Sequence, residues 1–383
     1  MQIALHGGFG EKGRTCLRVS ARGYVVLLDA GVKTSARGKA DYYPQISDEE
    51  LRAADAIVIT HAHEDHVAAL GHFLMRGFAG RIWMTAETRE DCVSLVEGYG
   101  GPDDAGRVRN AKIEPLPIGV DAAALGPLAV HTGRSGHIAG GVWCVLDDGS
   151  TRFGYCGDVA AASPVFAMDP MPPCDALAID ASYGDDDVAF AQRAAQVVAW
   201  IEAHPQGAVL PTPQYGRSLE LFVLLGGRAV LAPGMREALT EQLRDNAWLR
   251  DTPQRWLRHL HDARDWAPGQ PLPAAPVLCH DGMGMHGPSR ELLHEAGRLG
   301  HPVLLTGHVP EGSPGERLLH NRQADWIRLP THPTLHENIA LAHATRASVV
   351  LGHSCESAAL ARLAAHLPAL RVDAATGDCL EIG

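Results

Sequence analysis

The stretch THAHEDHVAAL, residues 60–70, holds three histidines and one aspartate within six consecutive positions. It follows the apolar run ADAIVIT, which predicts a buried strand. Side chains two positions apart at a strand end point the same way, so His61 and His63 should converge on one point. The chain then turns into a predicted helix over VAALGHFLM, which brings Asp65 and His66 to a neighbouring point. A lone histidine more often packs or caps a helix, but four ligand-type side chains on one loop indicate Zn²⁺ or a similar metal.

Three further ligand-type side chains lie near predicted strand ends elsewhere in the chain. They are His137 in GRSGHIAGG, Asp158 in YCGDVA and His353 in VVLGHS. Each alone would be unremarkable, because a buried aspartate often caps a helix and a histidine at a strand end is often a satisfied polar residue. Together with the four loop residues they make seven ligands. This set is large enough for two metal ions with Asp158 as the bridge between them.

The order of predicted elements indicates two domains. A chain of 383 residues is long enough for two domains, or for one domain with a large insertion. Short β-branched runs predict many strands before Asp187, helical spacing dominates after it, and the end of the chain alternates helices and strands. We therefore expect one domain interrupted by another. No apolar run approaches the ~20 residues of a membrane span, and the start MQIALHGGFG predicts a strand rather than a secretory signal.

Charge and cysteine content restrict the possible functions. The net charge of −12 weakens long-range attraction to phosphates, although the arginines could be gathered in a local basic groove. The eight cysteines include no C-x-x-C pair, which argues against a zinc ribbon and against a disulfide framework. A cytoplasmic location is the simplest expectation.

The segment GFGEKG matches the G-x-G-x-x-G pattern of dinucleotide-binding folds through Gly8, Gly10 and Gly13, and Asp29 lies near the place of a ribose-binding acid. In those folds, however, the glycines open a helix. Here TCLRVSARGYVVLLD follows, which predicts two strands joined at Arg22-Gly23. We interpret the glycines as a hairpin turn that needs positive φ, and not as a nucleotide site.

Taken in order, these motifs resemble those of the metallo-β-lactamase superfamily and, within it, those of the β-CASP nucleases. HGGFGEKGRTCLRV…VVLLDAG is similar to the family's opening, with Asp29 as the first motif, THAHEDH as the second, and His137 and Asp158 as the third and fourth. The stretches AIDASYGD, LPTHPTLHENIA and VVLGHSCES are similar to the three β-CASP motifs through Asp180, His332 and His353. The resemblance covers nearly the whole chain.

The resemblance implies an α/β fold, namely a metallo-β-lactamase αββα sandwich with an inserted β-CASP α/β domain. The sandwich would comprise residues 1–182 and 326–383, and the insertion would comprise residues 183–325.

The resemblance also implies roles for individual residues and a metal content of two Zn²⁺, with Mn²⁺ as the alternative. One ion would be held by His61, His63 and His137, the other by Asp65, His66 and His353, and Asp158 would bridge them. Asp29 and Asp180 would orient ligand imidazoles, and His332 would protonate the departing oxygen. The expected catalytic set is Asp65, Asp158, Asp180 and His332. Phosphate contacts are expected from Arg217, Ser218 and Arg290, near predicted helix starts of the insertion.

The implied activity is that of a metal-dependent hydrolase that cuts RNA, since members with His at the position of His353 mostly act on RNA and the DNA-repair branch tends to have Val. Three alternatives stay open: a DNA nuclease of the same family, a small-molecule thioester or lactone hydrolase of the superfamily, and a non-catalytic scaffold. The chain departs from the family pattern at Pro333 and at Ser354-Cys355. An auxiliary protein subunit and a homodimer are possible partners, and no membrane is expected.

Overall fold

The computed structural model describes residues 1–244 and 246–383, without the side chains of 120–122. These residues form two compact units. The first unit consists of Met1–Ala161, Met168–Asp187 and His332–Gly383, and the second of Ala162–Ala167 and Val188–Thr331. The chain thus changes units near residues 187 and 331, a few residues later than the boundaries proposed from the sequence. The assignment of the second unit as a β-CASP domain stays a prediction.

Strands and helices alternate along most of the chain. In chain order the strands are β1 (Gln2–Gly7), β2 (Phe9–Gly10), β3 (Cys16–Ala21), β4 (Tyr24–Leu28), β5 (Ala56–Val58), β6 (Arg81–Met84), β7 (Ile113–Pro115), β8 (Gly119–Leu125), β9 (Leu128–Arg134), β10 (Val142–Asp147), β11 (Arg152–Tyr155), β12 (Ala176–Asp180), β13 (Ala208–Pro211), β14 (Val230–Leu231), β15 (Pro276–Cys279), β16 (Leu304–Leu305), β17 (Asp325–Trp326), β18 (Val349–His353), β19 (Cys355–Glu356) and β20 (Cys379–Glu381).

The helices are α1 (Lys39–Tyr42), α2 (Asp48–Arg52), α3 (Glu64–Val67), α4 (Leu70–Met75), α5 (Ala86–Gly100), α6 (Pro102–Asn110), α7 (Phe190–Glu202), α8 (Arg217–Leu224), α9 (Met235–Arg244), α10 (Gln254–Asp262), α11 (Gly287–Leu299), α12 (Pro314–His320), α13 (Leu335–Thr345) and α14 (Ser357–Ala364). A 3₁₀ helix spans Asn246–Trp248. No helix in the described ranges is both long and apolar enough to cross a bilayer.

Two mixed sheets form the first unit. The seven-stranded sheet has the order β20-β1-β3-β4-β5-β6-β7, and the eight-stranded sheet has the order β19-β2-β18-β12-β11-β10-β9-β8. The hydroxyl of Tyr155, at the end of β11, donates to Asp29, directly after β4, so the two sheets are in contact. The predicted α/β fold class is confirmed.

Helices cover the outer side of each sheet. In the seven-stranded sheet Leu27 and Ile57 point toward Val67, Phe73 and other apolar side chains of α3 to α6, because alternate residues of a strand share a face. Leu360 and Leu363 of α14 pack likewise, with side chains of α13, on the eight-stranded sheet. The short strands β5 and β12 are buried throughout. This burial on both faces explains the apolar runs AIV in β5 and ALAI in β12.

Six of the predicted site residues of the first unit lie at or just after the carboxyl end of a strand. Within this unit, Asp180 and His353 are the last residues of β12 and β18, and Asp29 directly follows β4. The residues His61, His137 and Asp158 each come three positions after a strand end, those of β5, β9 and β11. The fold therefore gathers residues that are far apart in sequence.

The second unit contains a parallel sheet of β13, β15 and β14, in that order, and a parallel pair of β16 and β17. A parallel bridge between Val209 and Val303 joins the two groups of strands. Helices α7 to α12 belong to this unit.

Two local predictions have opposite outcomes. Gly8, Gly10 and Gly13 all have positive φ and lie in the connection between β1 and its antiparallel partner β3, as predicted for a hairpin turn. The helix after the histidine loop was expected from Val67, but α3 already begins at Glu64. Glu64 and Asp65 lie in the first helical turn, where carboxylates favour the positive end of the helix dipole.

Candidate metal centre

Hydrogen bonds to Asp29 fix the loop that follows β5. The Asp29 carboxylate accepts hydrogen bonds from the Thr60 backbone N–H at 2.7 Å and from the Thr60 hydroxyl at 2.8 Å. Because the Thr60 hydroxyl donates to Asp29, it accepts from His61 Nδ1, which lies 3.0 Å away. The proton of His61 therefore resides on Nδ1, and its Nε2 presents a lone pair to the loop interior.

Asp29 fixes His66 in the same way. His66 Nδ1 donates to Asp29 Oδ2 over 2.7 Å. The neutral ring of His66 would therefore carry its lone pair on Nε2, the nitrogen that a cation can reach in place of a proton. This nitrogen lies 3.1 Å from Asp158 Oδ1 and 3.8 Å from Asp65 Oδ2. One carboxylate thus sets the tautomers of two imidazoles.

A first group of ligand atoms consists of His61, His63, His137 and Asp158, whose atoms all lie within 4.8 Å of one another. His63 Nδ1 is 3.2 Å from His61 Nε2 and 3.1 Å from His137 Nε2. Asp158 Oδ2 is 3.6 Å from the Nε2 atoms of both His61 and His137. His61 and His63 thus converge as expected, although both lie in the loop that follows β5 rather than in the strand.

A second group consists of Asp158, Asp180 and His332. His332 Nδ1 donates to Asp180 Oδ2 at 2.8 Å and lies 3.6 Å from Asp158 Oδ2. Asp180 accepts further hydrogen bonds from the backbone N–H and the hydroxyl of Ser182. The His332 ring keeps some solvent exposure, whereas both carboxylates are buried.

His353 lies beside these groups without belonging to either. Its ring centroid is 6.1 Å from that of His66. His353 Nε2 donates to the Gly157 carbonyl at 3.0 Å, and Nδ1 accepts from the Ser354 hydroxyl at 3.1 Å. Its predicted role as a ligand stays a prediction.

The protonation of the cluster follows from burial and from its carboxylates. Burial, together with the neighbouring imidazoles, lowers the pKa of His63 and of His137 well below the usual value. Burial alone would also lower the pKa of His66, but Asp158, Asp65 and Asp29 raise it well above the usual value. Burial would also lower the pKa of His332, but the charges of Asp180 and Asp158 outweigh burial and raise this pKa to about 10.

A metal ion fits these residues. In the described part of the chain the buried atoms His63 Nε2, His66 Nε2 and Asp158 Oδ1 have no hydrogen bond of acceptable geometry. Unpaired buried polar atoms are rare in folded proteins, and clusters of them need an explanation. Neutral imidazoles and ionised carboxylates are the forms that bind cations. The group can therefore hold a metal ion.

The predicted phosphate contacts all lie in the second unit. Arg217 is the first residue of α8, and its Nη2 donates to the Thr331 hydroxyl at 2.8 Å. Arg290 is an exposed residue of α11. Ser218 is fully buried, and its hydroxyl donates to the Gln214 carbonyl. A hydroxyl buried in this way cannot meet a phosphate in this conformation, so Arg217 and Arg290 are the remaining candidates.

Several residues that hold the site were missed from the sequence. Thr60 and Tyr155 donate to Asp29, and Asn338 Nδ2 donates to the Asp180 carbonyl at 2.9 Å. A signal existed for two of them, because Thr60 directly precedes His61 and Tyr155 lies three residues before Asp158. Asn338, within α13, carried no such signal.

Comparisons with known proteins agree with this geometry. A sequence model of the metallo-beta-lactamase superfamily matches residues 10–219, more than half of the chain, and the chain belongs to this superfamily. Among curated relatives, the transcription termination factor FttA of Methanococcus maripaludis is 29% identical in an alignment of length 247 that covers 57% of this chain and 38% of that protein.

Two further relatives have other names. The endoribonuclease YSH1 of Mycosarcoma maydis is 26% identical over 59% of this chain and 28% of its own length. The ribonuclease TTHA0252 of Thermus thermophilus is 29% identical over 48% of this chain and 44% of its own length. The predicted resemblance to the β-CASP family is confirmed by these relatives. The matched regions span less than half the length of each of these three curated relatives.

Among solved structures, a protein of unknown function from Enterococcus faecalis matches all of this chain and 99% of its own chain. The TM-score is 0.66 at 12% identity, which shows a shared fold.

Proposed function

We propose that this chain is a metal-dependent phosphodiesterase that hydrolyses RNA. The observation that carries the proposal is the position of Asp158. Its carboxylate lies within 3.6 Å of a ring nitrogen of each of four histidines, namely His61, His66, His137 and His332. The relatives named an endoribonuclease and a ribonuclease support a nuclease over the other hydrolases of the superfamily.

In this proposal two Zn²⁺ ions, or Mn²⁺, occupy the cluster. His61, His63 and His137 would hold one ion, Asp65, His66 and His353 the other, and Asp158 both. When bound, such ions neutralise phosphate charge and make hydroxide available near neutral pH. Asp29 supports this arrangement because it keeps the Nε2 lone pairs of His61 and His66 free for a cation.

His353 can join the ligands by a change of tautomer. Its Nε2–H now donates to the Gly157 carbonyl, and the Ser354 hydroxyl donates to Nδ1. If the ring proton resides on Nδ1 instead, Nδ1–H can donate a hydrogen bond to the Ser354 hydroxyl, because a hydroxyl is both donor and acceptor. Ser354, a departure from the family pattern, would then hold the ligand tautomer of His353.

His332 would protonate the departing oxygen. Its Nδ1 is bound to Asp180, and its Nε2 has no hydrogen bond within the described residues. Two adjacent carboxylates favour the doubly protonated ring, so Nε2 carries a proton that it can donate. Asp180 acts on the reaction by orienting this ring. Arg217 and Arg290 are proposed phosphate contacts.

We propose RNA rather than DNA as the substrate for two reasons. Two relatives are named as ribonucleases, and His353 stands where RNA-cutting members of the family mostly have His. The net charge of −12 is the reason to propose an auxiliary subunit that helps to hold nucleic acid. A homodimer is the second assembly proposed. We further propose the cytoplasm as the compartment, on the pattern of eight unpaired cysteines.

The test is cleavage of matched 5′-labelled single-stranded RNA and DNA by zinc-loaded and manganese-loaded protein. We expect RNA to be cut, and we expect the double variant His63→Ala/Asp65→Ala to lose both cleavage and bound metal. The exposed His366 provides a control, because His366→Ala removes a histidine of the same unit outside the cluster. The product ladder separates endonucleolytic from exonucleolytic cutting.

The rival reading is a small-molecule hydrolase of the superfamily. Full metal content, no cleavage of either polymer and rapid hydrolysis of a thioester or lactone would overturn the nuclease proposal. Cleavage of DNA alone would replace RNA by DNA as the substrate.

A further inference from the structure

Trp326, in the second unit, is unusual in its exposure. Its side chain is 41% exposed, and it is the one aromatic residue among the exposed large hydrophobic side chains in the described ranges. Tryptophan is enriched at binding surfaces, because its ring offers a large apolar face together with one polar edge.

The Trp326 ring is held in place from two sides. Its indole N–H donates to the Gly307 carbonyl at 2.8 Å. Its strand β17 pairs with β16, and the N–H of Ile327 donates to the Leu305 carbonyl at 3.0 Å. The polar edge of the indole is therefore satisfied within the protein. A ring fixed in this way loses little freedom when a ligand stacks on it.

One arginine lies against this ring, and a second lies beside the glycine that accepts its hydrogen bond. Arg328 follows two positions later, and its guanidinium carbon is 5.2 Å from the Trp326 ring centroid. Gly307 lies against the guanidinium of Arg217. A Cβ at position 307 would come within 2.3 Å of Arg217 Nη1, so a side chain there would displace the guanidinium. Two guanidinium groups thus adjoin the loop to which the indole is attached.

The carboxylate of Asp325, next to Trp326 in the chain, belongs to another contact. Asp325 alternates with Trp326 along β17, so its side chain points to the opposite face of the strand. There Asp325 accepts a hydrogen bond from the indole N–H of Trp200 at 2.8 Å. The face that carries Trp326 and Arg328 therefore combines an aromatic surface with positive charge in a chain whose net charge is −12.

We propose that Trp326 and Arg328 form a subsite for single-stranded RNA, in which a base stacks on the indole and its phosphate meets the guanidinium. Flat aromatic rings with adjacent arginines bind single strands without strong sequence preference, since every base has a π-face. The subsite rests on the proposed function, because it concerns the substrate of the same protein. It is assigned to binding, not to chemistry.

The test measures binding of a fluorescein-labelled oligouridylate and of an abasic phosphodiester strand of equal length, by anisotropy, in the full-length cleavage-deficient variant His63→Ala/Asp65→Ala. Adding Trp326→Ala should weaken binding of the oligouridylate about 5- to 100-fold and leave the abasic strand unaffected. Trp326→Phe should keep most of the affinity. Arg328→Ala should weaken both strands and reduce the salt slope by about one.

Trp256 offers a matched control, since Arg255 lies over its ring at 4.8 Å on helix α10. Trp256→Ala should bind both strands like the parent. If Trp326→Ala proves unfolded, ultraviolet crosslinking of the oligouridylate to the parent, mapped by mass spectrometry, replaces it, and a crosslink at Trp326 is expected. If Trp326→Ala binds the oligouridylate as tightly as the parent, or if crosslinks form only at other residues, the subsite proposal is overturned. RNA cleavage by the wild-type protein would still support the nuclease proposal in that case. Failure of the wild-type protein to bind or cut any nucleic acid overturns both proposals.

Discussion

The hydroxyl of Tyr155 lies 2.6 Å from Asp29 Oδ2, and the same oxygen lies 2.7 Å from His66 Nδ1. Tyr155 ends a strand of the eight-stranded sheet, whereas Asp29 follows a strand of the seven-stranded sheet. The contact thus joins the two layers directly beneath the cluster of histidines. It makes the orientation of a proposed metal ligand depend on the packing of one sheet on the other.

Replacement of Tyr155 by Phe should weaken metal binding. The ring would still fill its buried site, but Asp29 would lose one of the donors that orient it toward His66. Partners that orient ligands typically contribute 10- to 100-fold in metal affinity, and we expect a loss of about this size. The measurement is a titration of Zn²⁺ against a competing chelator.

Tyr42→Phe is the matched control, because the Tyr42 hydroxyl donates to the Tyr99 carbonyl at 3.0 Å without contact to the cluster. Equal zinc affinity of the two variants would show that Tyr155 only supports packing.

Replacement of His332 by Ala should separate chemistry from metal binding. A proton donor typically contributes about 10²- to 10⁴-fold in rate, so kcat for RNA cleavage should fall by this factor with the metal content unchanged. The measurement is kcat together with metal analysis by mass spectrometry, with the exposed His343→Ala as control. Loss of bound metal would instead make His332 a ligand, together with Asp158 and Asp180.

Gly31 permits the close approach of α3, and its replacement by Ala should disturb the site. A Cβ at this position would lie 1.7 Å from the Asp65 carbonyl oxygen, so α3 would have to move together with Asp65 and His66. We expect destabilisation of about 1–3 kcal/mol and loss of the metal that these residues would bind. The measurements are chemical denaturation and zinc titration.

Gly98 provides the opposite case for this prediction. It lies within helix α5, where a Cβ would meet nothing within 4 Å. Gly98→Ala should therefore stabilise the protein by about 0.5–1 kcal/mol. Similar stability and metal affinity in both glycine variants would contradict the close-approach explanation.

The acid sensitivity of the first unit should depend on Glu11. Its carboxylate accepts from Arg14 Nε and from Lys33 Nζ, each at 2.8 Å. Burial would raise the pKa of Glu11, but these charged donors outweigh it and lower the pKa. A lowered folded-state pKa means that the stabilisation is present above the unfolded value of about 4.3 and is lost as the pH falls through the folded value.

Glu11→Gln should therefore lower the free energy of unfolding by about 1–3 kcal/mol at neutral pH and by less at acidic pH. The measurement is urea denaturation of both proteins at neutral pH and below the pKa of Glu11. The exposed Glu49→Gln serves as control. A difference that does not shrink on acidification would contradict this account.

The sequence predicted those parts of the site that depend on local spacing. A spacing of two residues was enough to predict that His61 and His63 converge, although both lie in the loop beyond β5. The order of motifs was enough to predict Asp158 and His332 in the same site. Tyr155 could not be found in this way, because its contact with Asp29 spans 126 residues and depends on how two sheets pack. The hydroxyl of Ser218 was misjudged for a similar reason, since burial is set by the helices around it.

The position of β18 in the eight-stranded sheet has a consequence for biosynthesis. This strand lies between β2 and β12, although it follows β12 by more than 160 residues in the chain. During synthesis from the amino terminus, the sheet must keep an open place for it while the whole second unit emerges from the ribosome. His332 also follows the second unit in the chain, so the group of Asp158, Asp180 and His332 stays incomplete until then. A nascent chain that ends before His332 carries no finished centre with which to act.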